Sequence, residues 1–600
     1  MVVPTDSAAG GRAKRAAGEY VKFVREATGT TVEYLSENQF DDKTKNFISI
    51  GETSLLSEAK FNLDISKLGD SGYIIKSDEN GNLYIIGGNI QNGWMGLMCG
   101  VYDLLHEFFG YEYYSDGVYG LTKNVTSAAF FEGELDKTVV PSFEYRLRGY
   151  GFNAENSVDG VFNAYRLRMN SLYTFSFKNL GMHDIFGAIP YADYGASHKN
   201  WYTSDKKQVC FSRDPDGIAK TVVDKMLPII TAAENENPEL KSLNKYFYVG
   251  MTDSTVWCDC STCKTYINSH GGYKVSTYIN FMNKVAALLK NRNRTDIRPV
   301  MLAYHATQDA PVKENADGSL SLVSADMKLD ELVTVYYCPI EANYYVPFGD
   351  DSDGTGRNVA ALKNLKGWSV AADKVMYYFY MENFPNYYMN YFDVTGSIQQ
   401  NFKYAAENGG FFMYNLGQFN ESVSSGFSRY KEYLSAKLMW NADENVDELT
   451  NNFFANYYGV AGDIIKGIFN EYRAMLAEKF KSYKNIGNMS IYCPSLNANY
   501  FDKAKLKKWH GDVNSAYAAV ENAYAAGTIT ETEKLRLNKA IKTESMFLRA
   551  IVIEYFGNYA DEISGKTLYA LKSEWKADAN ELGMTRWSEH ETIEKHCAEW

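Results

Sequence analysis

Three acidic residues follow apolar, strand-like segments of the sequence. They are Asp253 after segment 246–251, Glu341 after 332–338 and Glu382 after 375–380. Carboxylates serve as general acids, general bases and charge stabilisers, and barrel and open α/β enzymes hold such groups at the carboxyl ends of parallel strands. The sequence therefore predicts that the three acids open onto one face of the molecule. Asp253 alone is equally consistent with capping the next helix, and Glu382 with an ion pair in a loop.

A second cluster of reactive side chains lies a few residues after the first of these acids. Cys258, Cys260 and Cys263 are spaced too tightly for ordinary paired zinc knuckles, and structural zinc sites commonly use four ligands. Cys210 or Cys338, each at the end of a predicted strand, would supply the fourth ligand. The alternatives are one disulfide or reduced thiols, and a catalytic metal fits less well. The sequence has neither a phosphate-binding glycine loop after a strand nor a Gly-x-Ser-x-Gly elbow, so no other cofactor is predicted.

Composition narrows the range of partners. The 600 residues carry a formal net charge of −13, which argues against nucleic acid and anionic membranes because both require basic surface.

Aromatic residues make up 15% of the chain and include 47 Tyr. Tyrosine combines a flat apolar face with a polar edge, which suits sugars, although a Tyr-rich composition without a special ligand is the plainer explanation. No apolar run reaches membrane-spanning length, and 8 Cys are too few for a disulfide framework.

The order of predicted elements defines three regions. Residues 1–140 combine an amphipathic helix, a hairpin and a second helix into a small α+β domain. Residues 141–445 alternate strands with helices, which predicts an α/β fold of the (β/α)₈ TIM-barrel type. The strand pattern then fades, and residues 446–600 are predicted to be α-helical. The predicted barrel strands are 145–150, 171–175, 208–211, 246–251, 300–304, 332–338, 375–380 and 410–414.

Several motifs resemble those of one family. They are Gln208-Val-Cys-Phe-Ser-Arg-Asp-Pro, Val249-Gly-Met-Thr-Asp with the cysteines that follow, Leu434-Ser-Ala-Lys-Leu-Met-Trp-Asn and Tyr457-Tyr-Gly. In combination they are similar to the DUF4838 domain family, which includes the family 163 endo-β-N-acetylglucosaminidases that act on N-glycans. The segment 93–114 also resembles the end of the small α/β domain that precedes the barrel in family 20 hexosaminidases and family 67 α-glucuronidases.

The resemblance implies a glycoside hydrolase that cleaves β-linked N-acetylglucosaminides, with an oligosaccharide or a glycoprotein glycan as its partner. Glycosidic cleavage needs a proton donor and stabilisation of an oxocarbenium-like centre, tasks that Asp253, Glu341 and Glu382 would share. Family 20 enzymes use the acetamide of the substrate as the nucleophile and retain the anomeric configuration. Asp253 would orient that acetamide or act as the acid/base. Ser254 follows it where family 20 has a Glu, so the adjacent acid pair is missing in that form.

Sugar-binding residues are implied by the same resemblance. An arginine of the first strand binds sugar hydroxyls in family 20, and Arg148 lies nearer the carboxyl end of that strand than Arg146. Its alternative is an ion pair buried inside the barrel. A lone loop histidine is more often structural, and one aromatic residue among so many is usually core. The other predicted substrate contacts are His183, Trp201, Tyr304, Tyr344 and Tyr345, with His305 beside them.

Two other functions stay open. An α-glucuronidase-like inverting hydrolase would hold its carboxylates further apart, with a water molecule between them. A non-catalytic glycan-binding protein on a degenerate barrel would explain the missing acid pair.

The start of the sequence, Met-Val-Val-Pro-Thr-Asp-Ser, shows no signal peptide. We expect a secreted or cell-surface protein from which the export signal has been removed.

Overall fold

Two large β-sheets and their surrounding helices form the computed structural model of the chain. The structure describes residues 1–5, 7–42, 44–88, 94–125, 134–149, 158–178, 181–381, 383–384, 393–417, 423–482, 498–588 and 590–600.

The first sheet belongs to the N-terminal region. Its six strands are, in spatial order, Leu35–Ser36, Val2–Val3, Ile48–Ile50, Leu83–Gly87, Tyr73–Ser77 and Asp136–Val139. The strands at 73–77 and 83–87 pair antiparallel, as the intervening Asp-Glu-Asn-Gly turn predicts. Helices Ser7–Thr28 and Trp94–Phe109 pack against each other and bury apolar side chains in the core. The two helices and the hairpin that the sequence pattern predicts in this region are present.

Seven parallel strands form the second sheet. In chain order they are β1 Tyr145–Gly149, β2 Thr174–Phe175, β3 Lys245–Tyr248, β4 Ile297–Ala303, β5 Thr334–Tyr337, β6 Val375–Tyr380 and β7 Gly410–Leu416. Their spatial order is β2-β3-β4-β5-β6-β7-β1, so the first strand pairs with the last and the sheet curls. Between β1 and β2 the described residues show one isolated bridge, Arg146 to Asn170. The strands are nearly continuous apolar runs, as expected for parallel strands covered on both faces.

The predicted third barrel strand, residues 208–211, is wrong, and the described residues do not complete an eight-stranded barrel. The segment is buried, as its apolar pattern predicts, but its backbone bonds to the preceding turn instead of the sheet. The amide of Thr203 donates to the Gln208 carbonyl at 2.9 Å, and that of Cys210 to the Trp201 carbonyl at 2.8 Å. Apolar patterning predicts burial, and here burial occurs without strand pairing.

Helices cover the second sheet and build the C-terminal region. The longer ones are Val158–Arg166, Pro215–Glu236, Ser261–Ser269, Val275–Asn291, Arg357–Ala371, Ile398–Glu407, Ser428–Trp440, Val446–Tyr457, Gly462–Ser482, Lys503–Ala525, Glu531–Tyr555 and Leu568–Leu582. Several begin at side-chain caps: Asp214 accepts from the Gly217 amide at 3.0 Å, and Thr530 from the Glu533 amide at 3.2 Å. Such caps satisfy amides that the first helical turn leaves unpaired. No helix in the described ranges has the length and apolarity that a bilayer crossing requires.

Smaller elements complete the fold. The short helices are Ser54–Ala59, Ile185–Ala188, Tyr191–Tyr194, Ala560–Ser564 and Ile593–Ala598, and the two-stranded sheets pair Glu112–Ser115 with Val118–Gly120, Val312–Glu314 with Leu320–Leu322, and Arg586–Ser588 with Glu591–Thr592.

Two buried cations link the N-terminal region to the curled sheet. Arg146 is fully buried and donates to three backbone carbonyls, among them that of Arg168 at 2.8 Å, and to Ser71 Oγ at 3.0 Å. Burial lowers the pKa of Arg146 to about 10, so the group stays charged at neutral pH. Arg166 pairs with both oxygens of Glu19 at 2.8 and 2.9 Å. Both contacts cross between the N-terminal region and the region of the curled sheet.

Candidate functional site

Asp253 and Tyr304 meet at the carboxyl edge of two neighbouring strands. Asp253 follows β3, and Tyr304 comes directly after β4. The Tyr304 hydroxyl donates to Asp253 Oδ1 at 3.1 Å. Asp253 is exposed, whereas Tyr304 is 8% exposed, so a fixed ring holds an open carboxylate. Since the hydrogen bond uses Oδ1, the carboxylate retains acceptor capacity at Oδ2 for a ligand.

Glu341 joins this edge through His305. The backbone of His305 is left-handed, with φ 46°, a conformation that is uncommon outside glycine and clusters at functional sites. His305 Nδ1 lies 3.4 Å from Glu341 Oε1, and its ring centroid lies 4.0 Å from that of Tyr304. The contact with His305 lowers the pKa of Glu341 and favours the ionised carboxylate. Because Glu341 follows β5, three adjacent strands contribute to one cluster.

His183 reaches the same cluster from the loop after β2. Its ring centroid lies 5.4 Å from that of Tyr304, and its Nδ1 lies 3.0 Å from the Met251 carbonyl. A carbonyl only accepts, so Nδ1 carries the proton and Nε2 of the neutral ring is an acceptor. Burial lowers the pKa of His183, against the attraction of Asp253. The ring is therefore suited to accept a hydrogen bond at neutral pH.

Gly250 allows the His183 loop to approach β3. A Cβ atom at Gly250 would lie 1.6 Å from the Met182 carbonyl oxygen, a distance that no side chain tolerates. The Gly250 carbonyl also accepts from the Ile185 amide at 3.1 Å. The sequence signal was a glycine between two apolar residues at the end of a strand, which indicates a close approach of another backbone.

Two predicted sugar contacts are core residues, and these predictions are corrected. Trp201 is 2% exposed, and its indole N–H donates to Asp214 Oδ2 at 2.8 Å. Tyr344 is 2% exposed, and its hydroxyl donates to the Pro339 carbonyl at 3.0 Å. Neither ring has a face open to a ligand. In a chain this rich in aromatic residues, most rings near a strand end are needed for packing.

The remaining predicted site residues are Tyr345, Arg148 and Glu382. Tyr345 is half-buried, with its ring centroid 4.6 Å from that of Phe480. Arg148 lies in β1, paired in register with Asn415 of β7, and its side chain is outside the described residues. Glu382 also lies outside the described residues. Their roles stay predictions.

A layer of tyrosine rings, which the sequence pattern did not predict, lies on the inner side of the curled sheet. Tyr248 of β3 stacks on Tyr336 of β5 with their ring centroids 6.3 Å apart, although β4 lies between these strands. The ring centroid of Tyr378 in β6 lies 5.6 Å from that of Tyr336 and 4.4 Å from that of Tyr414 in β7. Rings from non-adjacent strands meet only where a curled sheet is concave. The layer therefore gives the sheet an aromatic interior, as barrel sheets have packed interiors.

Residues 129–470 match the family model described as Domain of unknown function (DUF4838). The chain belongs to the DUF4838 family. The combination of motifs in the sequence predicts this family, and the match confirms it. A comparison with curated proteins gave no match.

Solved structures similar to this DUF4838 protein include two carbohydrate-active enzymes. A family 115 4-O-methyl-α-glucuronidase with specificity for decorated arabinogalactans has a TM-score of 0.55 at 12% identity, and the match covers 97% of this chain and 76% of that one. A family 138 enzyme targeting pectin rhamnogalacturonan II has a TM-score of 0.40 at 10% identity, covering 100% of this chain and 78% of that one. The first comparison shows a shared fold.

The DUF4838 region also gathers four cysteines. Cys210, Cys258, Cys260 and Cys263 place their Sγ atoms within 4.8 Å of one another. Cys338, the other candidate for the fourth position, contacts the Tyr336 carbonyl instead, with its Sγ at 3.6 Å. The alternative that the sequence left open is thereby decided in favour of Cys210.

Proposed function

We propose that this protein is a glycoside hydrolase with Asp253 and Glu341 as catalytic carboxylates. The observation that carries the proposal is the cluster at the carboxyl edge of β3, β4 and β5, where Tyr304 and His305 lie between the two acids. This is the edge at which TIM-type barrels hold their chemistry, and the curled sheet would serve as such a barrel. The fold shared with a family 115 glucuronidase supports the same class of reaction.

The substrate that we propose is a β-linked N-acetylglucosaminide, cleaved with retention through its own acetamide group. Tyr304 holds Oδ1 of Asp253, so the other oxygen can accept the acetamide N–H and turn the acetamide oxygen toward the anomeric carbon. The contact with His305 keeps Glu341 ionised, which suits a charge stabiliser or a base. A proton donor is still required, and Glu382 is proposed for that role on its position after β6.

The glycan of an N-glycoprotein is the proposed natural substrate class, with the protein acting outside the cell. Tyr345, half-buried on the loop after β5 that also carries Glu341, is the proposed stacking surface, because a ring face stacks on the C–H face of a sugar while hydroxyls bond at the ring edge. Endo action would be seen as release of whole glycans from N-glycoproteins, measured by mass spectrometry.

The test uses an aryl β-N-acetylglucosaminide with a good leaving group. Asp253→Asn keeps the shape but removes the charge, and we expect turnover to fall by roughly 10²–10⁴-fold. Tyr304→Phe removes one hydrogen bond to a charged group, so a loss of about tenfold to a hundredfold is expected. Asp259→Asn is the matched control: this acid lies on the same loop with a side chain 85% exposed, and its turnover should stay unchanged.

Inhibition tests the acetamide step. A thiazoline analogue of N-acetylglucosamine mimics the bicyclic intermediate, and it should bind more tightly than the sugar because an enzyme is complementary to its transition state. Substrate assistance would be refuted if the active wild type were not inhibited by the thiazoline and the Asp253→Asn variant turned over at the wild-type rate.

A second candidate is an inverting α-glucuronidase, which the fold shared with the family 115 enzyme favours. In this case the protein would cleave aryl α-glucuronides and not the acetamido sugar. Proton NMR of the first-formed anomer separates inversion from retention. A protein that binds glycans and cleaves neither substrate would instead be a non-catalytic glycan-binding protein.

A further inference from the structure

We propose that Cys210, Cys258, Cys260 and Cys263 bind one structural zinc ion as four thiolates. Cys210 Sγ lies 3.6 Å from Cys263 Sγ and 3.8 Å from Cys260 Sγ, and all four sulfurs lie within 4.8 Å of one another. Around a tetrahedral zinc with Zn–S bonds of about 2.3 Å, neighbouring sulfurs are separated by about 3.8 Å. A disulfide would bring two sulfurs to about 2.05 Å, and all four cysteines are free.

The surroundings suit a negatively charged thiolate cluster. Cys260 is the N-cap of helix Ser261–Ser269, so its sulfur faces the positive end of the helix dipole. The Cys263 amide donates to Cys260 Sγ at 3.4 Å, and the positive Arg213 guanidinium lies near enough to attract that sulfur. Cys210, Cys258 and Cys263 are buried. A zinc with four thiolates carries two net negative charges, which these donors would balance.

The zinc would join two loops that are distant in sequence. Cys210 belongs to the buried segment that was predicted as a strand, and its partner Cys260 is 50 residues further along. The same two loops are already bonded by Thr252 Oγ1, which donates to the Lys207 carbonyl at 2.7 Å. Since Thr252 precedes Asp253, the ion would fix the loop that carries this acid. The zinc site itself does not depend on the proposed function.

The experiment measures metal in the full-length chain, purified without added metal. We expect elemental mass spectrometry to find one zinc per chain. Exchange of zinc for cobalt should give the visible bands and the thiolate charge-transfer absorption of a tetrahedral sulfur site. Cys210→Ser and Cys263→Ser should lose the zinc and melt at a lower temperature. Cys338→Ser and Cys597→Ser are controls, since both replace buried cysteines outside the cluster, and they should keep it.

A conservative variant distinguishes the loss of a zinc ligand from simple misfolding. Cys260→His replaces one thiolate by imidazole, which also binds zinc, so it should fold, retain zinc and shift the cobalt bands. Wild-type protein that lacks zinc, or whose intact mass is lower by two hydrogens because of a disulfide, would overturn the proposal. Full zinc content in both serine variants would overturn it as well.

Discussion

Replacement of the buried Glu544 should change how stability depends on pH. Glu544 lies in helix Glu531–Tyr555 and is 4% exposed. Its Oε2 accepts from the Phe427 amide at 2.8 Å, and its Oε1 from the Tyr458 hydroxyl at 3.0 Å. Burial raises the pKa of this carboxyl to about 7, because removal from water disfavours the charged form more than the two hydrogen bonds favour it.

The raised pKa of Glu544 sets the direction and the size of the pH effect on stability. A raised pKa means that the contribution of Glu544 to stability is complete below its unfolded value of 4.5 and is lost as pH rises toward 7. At about 1.36 kcal/mol per pKa unit, the loss is about 3 kcal/mol. Glu544→Gln cannot ionise, and its amide can still donate to Tyr458 while its oxygen accepts from Phe427. The variant should therefore gain about 3 kcal/mol relative to wild type between pH 4 and pH 8.

Thermal unfolding over this pH range measures the effect. The difference in Tm between Glu544→Gln and wild type should grow by roughly 6–12 °C from pH 4 to pH 8, if the transition includes a unit of about 150–250 residues. Glu531→Gln, exposed at the start of the same helix, is the control and should follow wild type above pH 5. Parallel curves for Glu544→Gln and wild type across the whole range would refute the reasoning.

Two further substitutions test the packing around the candidate site and the junction of the regions. Gly250→Ala should lower the melting temperature and the turnover together, because the new Cβ would collide with the Met182 carbonyl; Gly467→Ala, in an open helix position, should be neutral or stabilising by up to about 1 kcal/mol. A Gly250→Ala protein with wild-type Tm and rate would contradict the close approach. Arg166→Leu should destabilise by about 3–5 kcal/mol, because it leaves Glu19 buried without its cation. The double variant with Glu19→Gln should recover part of that loss in chemical denaturation, and no recovery would show that the pair does not act as a unit.

Local patterning predicted most elements of this fold. Strand Val375–Tyr380 agrees with the predicted bounds, because its apolar spacing and turn signals point to the same structure. The segment 208–211 failed because its apolar residues are buried by the loop fold and not by a neighbouring strand. Where a buried backbone finds its hydrogen bonds depends on the whole chain, so the sequence pattern could not decide it.

The candidate site was predictable only in part. The sequence pattern predicted that Asp253 and Glu341 follow strands, and the structure has them there, with Tyr304 and His183 beside Asp253. Trp201 was misassigned because the sequence does not show that its indole N–H is used by Asp214. The left-handed backbone of His305 also has no sequence signal, since the residue is not a glycine.

Arg146 sets a practical limit on how this chain can be shortened. Its guanidinium donates both to Ser71 and to the backbone around its own strand, so a fragment that begins near residue 141 would remove a partner from a buried charge. The same fragment would also lack Glu19, the ion-pair partner of Arg166. Expression of the curled sheet without the first 140 residues should therefore yield insoluble protein. For cloning and crystallisation, the N-terminal region and the sheet should be treated as a single inseparable piece.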